Sequence, residues 1–278
     1  MTHPAVITLT TDFGLADPFV GVMKGAILRC ATAARIVDIT HAIPPQDVMA
    51  ASWLLSSSVG WFPHGTVHVA VVDPGVGSAR HALAIRCGTF FLVGPDNGIF
   101  TETLLQYPQL EAVVIEPEAI PVPAMSATFH GRDLFALAAA EIALGRPIRE
   151  LGLSVSAADL VRLALPQRHA TENAVAGFIR WIDRFGNLIS DIVPELLDAA
   201  LSRSGSGPLP APRGPWLVTV GSCTVRGIRR TYTDVDTLEP IALFGSSGTL
   251  EVAVRNGSAA ELAGIGIGEP IRLCRNLV

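Results

Sequence analysis

Asp73 stands at the end of an apolar run, in VDPGVG at 72–77, and Arg80 follows it by seven residues. Pro74, Gly75 and Gly77 make a tight turn poor in side chains, so a ligand can approach the backbone while the Asp73 carboxylate is presented to it. A carboxylate and a guanidinium this close in sequence form either a binding site or a plain ion pair, and the segment alone leaves both open. Asp12, in TTDFG at 10–14, has the same setting behind another strand-like run. If the two strands run parallel, both carboxylates leave one sheet edge, where open α/β sheets bind ligands. Asp12 can otherwise cap the helix that follows, although two acids crowded at one edge repel each other without a ligand. His130, in TFHGRD at 128–133, precedes a helical pattern beside Arg132 and Asp133 and is of a type that exchanges protons near neutral pH.

Further polar clusters fall at other turns. GPDNG at 94–98 reads as a turn, since Asn-Gly favours positive φ. WIDRFGN at 181–187 brings an aromatic surface, the Asn187 amide and two charges together, which suits either adenine recognition or a plain hairpin turn. FGSSG at 244–248 enters a strand, LEVAV at 250–254, on which Glu251 faces away from Leu250 and Val252; the glycines permit close approach of a ligand or a flexible turn. A metal-dependent phosphoesterase using Asp12, Asp73, Asp96, His130 and Asp133 is a rival chemistry. DFG at 12–14 and HGRD at 130–133 stand in the wrong order for a protein kinase. GIGIG at 264–268 has the wrong spacing, too near the C-terminus, for a dinucleotide fingerprint.

The elements that must position these groups alternate over the first half of the chain. Strands are expected at 6–10, 35–39, 66–72, 82–87 and 90–93, with helices at 19–30, 46–58 and 131–144 and a shorter one after Ile99. This is the pattern of a layered α/β domain with a largely parallel sheet. The periodicity weakens between 152 and 171, which places a boundary there, with an N-terminal domain at 1–165 and a second at 172–278. Beyond it, short strands at 175–182, 188–192, 216–220, 250–254 and 270–274 suit a small barrel or sandwich. The stretch 202–215, rich in Ser, Gly and Pro, reads as a mobile surface loop without function.

Composition excludes several classes. At 278 residues and 49% hydrophobic side chains, the chain can bury two cores. A net charge of −5 and the lack of a basic run argue against a nucleic-acid partner. Every apolar run is broken before the ~20 residues that a membrane helix needs, and no signal-like segment precedes the first strand, so the expected location is cytoplasmic. Cys30, Cys87, Cys223 and Cys274 are scattered, which indicates small buried side chains, neither a zinc site nor a disulfide framework.

Taken in order, LTTDFG at 9–14, VDPGVG at 72–77, PDNG at 95–98, FHGRD at 129–133, DRFGN at 183–187 and LEVAV at 250–254 resemble the S-adenosylmethionine (SAM) hydroxide adenosyltransferase family. These adenosine-forming SAM hydrolases are related to fluorinating and chlorinating enzymes. The resemblance spans nearly the whole chain. It implies a catalytic set of Asp73, Arg80 and His130, and a nucleoside held by Asp12, Asp73, Asn187, Ser246, Glu251 and the backbone of Val254. It implies a C-terminal β-barrel, water as nucleophile, no cofactor and no metal, adenosine and methionine as products, and a homotrimer with sites at subunit interfaces. The related halogenases carry Tyr where this chain has Asp73, which favours water over halide.

Overall fold

β-Branched runs build the first elements of the computed structural model, which describes residues 4–121, 125–203 and 216–275. β1 (Val6–Thr11) leads to α1 (Phe19–Cys30), β2 (Arg35–Thr40), α2 (Val48–Ser58) and β3 (Val67–Val71). β4 (Ala82–Cys87) and β5 (Phe90–Pro95) follow, then α3 (Thr101–Gln106), β6 (Leu110–Ile115), α4 (Ala136–Ala143) and β7 (Gly152–Val155). The seven strands form one sheet in the order β2-β1-β3-β5-β4-β6-β7. β2, β1, β3 and β5 pair in parallel, β4 opposes both its neighbours and β7 opposes β6, so five of the seven strands point the same way.

Strand β3 is buried along its whole length, as a central parallel strand flanked on both faces must be. Ile7, Leu9, Val67, Val69 and Val71 pack against Met23 and Ile27 of α1 and against the alanine-rich α4, whose small side chains let it lie close to the sheet. Each large apolar side chain buried here stabilises the unit by about 1.5–3 kcal/mol. The helix expected at 131–144 is interrupted at its start: Gly131–Phe135 is a turn of π-helix, in which Ala136 donates to the Gly131 carbonyl. Such turns concentrate at functional sites.

The remaining strands form a second sheet. After β8 (His169–Ala170) come β9 (Ala174–Ile182), β10 (Leu188–Ser190), α5 (Pro194–Arg203), β11 (Trp216–Val220) and β12 (Cys223–Arg226). β13 (Pro240–Phe244), β14 (Leu250–Val254), α6 (Ala259–Ala263) and β15 (Pro270–Arg275) complete the described residues. The path is β12-β11-β15-β9-β10-β14-β13, with β8 beside β9, and every pair within it is antiparallel. Arg229, just past β12, donates its amide to Ala242 of β13 at 2.8 Å, so the sheet nearly closes on itself as a barrel around Val175, Leu188, Val218, Val252 and Leu273.

Packing divides the chain into two units, 1–164 and 165–278. β6, β7, β8, β12, β13, α5 and α6 are additional to the elements expected from sequence. β7 lies in the stretch read as losing its pattern, and α5 runs into the first residues of the one read as a loop; the rest of that loop, 204–215, falls outside the described residues.

Candidate active site

In the first unit, β1 and β3 are parallel neighbours with Thr11 opposite Val71, so Asp12 and Asp73 do leave the same edge of the sheet. The turn after β3 is closed by hydrogen bonds from Val76 to the Asp73 carbonyl at 3.2 Å and from Ser78 to the Gly75 carbonyl at 3.1 Å. Gly77 adopts φ of +79°, and a Cβ there would lie 2.6 Å from the Ala127 carbonyl oxygen, so only glycine lets this turn meet the segment leading to His130. Asn97 of the PDNG turn donates its amide to the Val72 carbonyl at 2.8 Å, steadying the strand end next to Asp73.

Arg80 folds back over this turn. Its Nε donates to both Asp73 oxygens at 3.0 Å, and its Nη2 donates to Asp73 Oδ2. The same Nη2 lies 2.9 Å from His130 Nδ1. A guanidinium can only donate, so Nδ1 accepts and the ring hydrogen is on Nε2. Burial, and then the charge of Arg80, holds the His130 imidazole below its ordinary pKa, which favours this neutral form. Beneath the cluster the Arg80 guanidinium lies 5.3 Å from the centre of the Phe135 ring.

Asp12 does not cap α1, whose N-cap is Pro18 without a side-chain bond. Its Oδ2 accepts instead from the Gln46 main-chain N–H at 2.8 Å. Asp12, Asp73 and His130 line a cavity of about 750 Å³, walled by Phe13, Phe19 and Phe129. These three rings meet edge to face with centroids 5.3–6.0 Å apart. Arg80 lies behind the cavity lining, clamped to Asp73 and His130.

The second unit has its own polar cluster. Asp183 caps the β9–β10 hairpin: Oδ1 accepts from the Phe185 and Asn187 amides at 2.9 Å, and Oδ2 from Asn187 Nδ2 at 2.8 Å. Asn187 is buried with its amide oriented, while Phe185 stands exposed at the turn. Glu251 is buried on the strand face away from Leu250 and Val252, and accepts from the Tyr232 hydroxyl. Burial raises the Glu251 pKa despite that bond, with the nearby Asp183 charge adding to the rise. A Cβ at Gly245 would lie 2.0 Å from Glu251 Oε2, so a larger residue there would displace the Glu251 carboxylate. Ser246 is exposed on its loop, and the Val254 carbonyl accepts from Gly257 at 3.1 Å.

Both halves of the chain match known domains: residues 7–152 the SAM hydroxide adenosyltransferase N-terminal domain and residues 177–272 the C-terminal domain of the same name. The chain belongs to the SAM hydroxide adenosyltransferase family. A relative from Thermus thermophilus named (R)-S-adenosyl-L-methionine hydrolase is 43% identical over 95% of this chain and 97% of its own length. One of the same name from Salinispora tropica is 37% identical over 96% of this chain and 97% of its own. A fluorinase from Actinoplanes sp. is more distant, 27% identical over 67% of this chain and 71% of its own. The crystal structure of an uncharacterized conserved protein from Thermotoga maritima superposes with a TM-score of 0.88 at 33% identity, covering 97% of this chain and 100% of that one.

In this family member, then, Asp12, Asp73, Arg80 and His130 come together in the first unit, and Asn187 and Glu251 are buried in the second. Of the acids and histidine proposed as phosphoesterase ligands, Asp12, Asp73 and His130 share one cavity, but Asp96 and Asp133 do not join them. Asp96 accepts from the Val161 amide at 2.9 Å, and Asp133 from Ser126 and Arg132. Among the described residues, no three His, Cys, Asp or Glu side chains gather as a metal site. All four cysteines are free; Cys87 and Cys223 are buried as expected, whereas Cys30 and Cys274 are only half-buried. Tyr232, His41 and Gln46 were not anticipated. Tyr232 sits in a polar stretch without periodicity, and the signal at Gln46 is conformational, a φ of +67° that no residue pattern announces.

Proposed function

We propose that this chain hydrolyses SAM to adenosine and L-methionine. The observation that carries the reading is the clamp of Arg80 on Asp73 and His130, which presents a carboxylate and a neutral imidazole side by side in one cavity. The 5′ carbon of SAM already bears a positively charged sulfonium, so displacement needs neither protonation of the leaving group nor a covalent intermediate. What remains is to hold and aim a water.

His130 donates Nε2–H to the water oxygen, Arg80 stabilises the charge that develops as the water becomes hydroxide-like, and Asp73 aligns Arg80 while accepting a hydrogen bond from the water or a ribose hydroxyl. The new O–C5′ bond forms as C5′–S breaks; the sulfur keeps the electron pair, methionine leaves as a neutral thioether, and the water's proton passes to solvent. Asp12, Asp73, Asn187, Ser246, Glu251 and the backbone of Val254 hold the nucleoside. The chemistry calls for no cofactor or metal, so activity is expected to survive EDTA.

In the relatives' name, L fixes the amino-acid carbon and (R) therefore the sulfonium centre; we extend that epimer preference to this chain. A homotrimer and a cytoplasmic location complete the reading, testable by solution mass and cell fractionation. Incubation of the purified protein with each SAM epimer in ¹⁸O-water is the deciding experiment. Adenosine carrying ¹⁸O, formed faster from the (R) epimer, is expected. Absence of adenosine, or formation of 5′-halo-5′-deoxyadenosine in its place when halide is present, overturns the proposal.

A further inference from the structure

Behind Asp12 runs a chain of polar groups that the steps above do not use. Thr11, the last residue of β1, is fully buried, and its Oγ1 accepts from the Phe13 amide at 3.2 Å. The same oxygen lies 2.8 Å from Nδ1 of His41, itself only 6% exposed. The hydroxyl can donate to Nδ1, and the Asp38 carboxylate beside Nε2 favours the tautomer with the ring hydrogen there. Nε2 lies 3.1 Å from Asp38 Oδ1, close enough for attraction but poorly aligned as a hydrogen bond. Asp38 in turn accepts from Lys24 of α1 at 2.6 Å. Burial alone would raise the Asp38 pKa, yet Lys24 and His41 together hold it below the ordinary value.

His41 also acts through its main chain: its carbonyl accepts from the Gly14 amide at 2.8 Å. The side chain therefore grips the residue before Asp12 and the backbone grips the residue two after it. Farther along the same β2–α2 connection, Gln46 donates its main-chain N–H to Asp12 Oδ2 from a left-handed backbone at φ +67°. A non-glycine residue persists in that conformation only where its surroundings hold it, and such strain gathers at ligand sites. Burying a histidine against an aspartate is a weak source of stability. Its geometric effect here is definite, because the whole connection is braced against one carboxylate.

We infer that His41 is a positioning residue, which through Thr11 and Gly14 sets the Asp12 carboxylate to accept a hydrogen bond from the ribose hydroxyls of a nucleoside. The inference rests on the adenosine reading above. It is tested on the full-length protein by calorimetric binding of adenosine and of 2′,3′-dideoxyadenosine, which lacks both hydroxyls. The variants are Thr11→Val, Thr11→Ser, His41→Ala and, at the half-exposed end of the chain, Asp38→Asn.

Thr11→Val and His41→Ala are expected to weaken adenosine binding about tenfold, the size of one lost hydrogen bond to a charged group, and to change dideoxyadenosine binding less than about twofold. Thr11→Ser restores adenosine affinity, and Asp38→Asn shows a smaller loss in the same ligand-selective sense. Equal weakening of both ligands, or of neither, overturns the positioning role while leaving the adenosine reading in place. Wild-type protein that binds neither nucleoside overturns that reading and this inference together.

Discussion

At Arg80 a single guanidinium serves two partners, with Nε and Nη2 on Asp73 and Nη2 also on His130. Removing it would leave a buried carboxylate unpaired and deprive His130 Nδ1 of its donor, so its loss is felt at both. Arg80→Ala and His130→Ala are each expected to lower kcat by about a hundredfold to a thousandfold, the effect of removing one preorganised electrostatic group. Because the two act as a unit, the double variant is expected to lose little more than either single one; multiplicative losses in single-turnover rates would argue for independent roles. The pH profile follows from the same contact. A neutral ring accepts from Arg80, whereas a protonated ring cannot and sets a second cation beside the guanidinium. Burial and the Arg80 charge push this pKa down, so the acid limb of kcat/KM is expected below the ordinary histidine value of 6.5. A limb centred at or above that value would contradict the assigned hydrogen bond.

At the scale of elements, β3 carries a second buried histidine with an entirely different consequence. His68 is fully buried, bonded through Nδ1 to the Thr8 hydroxyl at 2.8 Å and boxed by the edges of Phe62 and Phe90. Burial pushes its pKa down to about 4. The unfolded chain takes up a proton near the ordinary value of 6.5 while the folded strand does not. Stability is therefore fully present above 6.5 and drains away as the pH falls toward 4, by a total approaching about 3 kcal/mol. Urea denaturation between pH 7 and pH 4.5 measures this directly. His68→Phe, which keeps a ring in the box but leaves Thr8 unpaired, is expected to be less stable at pH 7 yet flatter in its pH dependence; parallel slopes would remove the assignment. The π turn at Gly131–Phe135 and the braced β2–α2 connection show the same division between elements that hold the fold and turns that aim side chains.

For the whole molecule, the two units have separate apolar cores, one on the alanine-rich helix and the sheet of the first, the other inside the nearly closed sheet of the second. No helix among the described residues is long and apolar enough to cross a membrane. Around the start of α1, Leu15 is 75% exposed, Phe19 44% and Val22 39%, large apolar side chains in water at the cavity that Phe19 also walls. That surface is a candidate contact face for the proposed trimer. Light scattering on the purified protein is expected to give three times 29.3 kDa, and Leu15→Asp with Val22→Asp to lower it. A mass of one chain at micromolar concentration would count against the assembly and against any account of activity that needs it.

The local signals in the chain were strong where backbone chemistry is local. Glycine and proline after an apolar run announced the turn that presents Asp73, β-branched continuity announced β3, and alternation put Glu251 opposite Leu250 and Val252. These depend on neighbours a few residues away, so they survive in a linear reading. β7 was lost because a short edge strand carries too few buried positions to show a period, and α5 because its low average hydrophobicity hides its single apolar face. That the Asp73–Arg80 pair also holds a histidine depended on His130, fifty residues past Arg80, being carried to the same strand end. The turn at 94–98 looked self-contained, yet Asn97 steadies Val72 and Asp96 is occupied by Val161. His41 gave no signal at all. Its meaning comes from parallel pairing of β1 with β2, which places a ring just past β2 against a hydroxyl at the end of β1. Residue types and turn chemistry are properties of short segments; hydrogen-bond partners, burial and pKa are set by which segments the fold brings together.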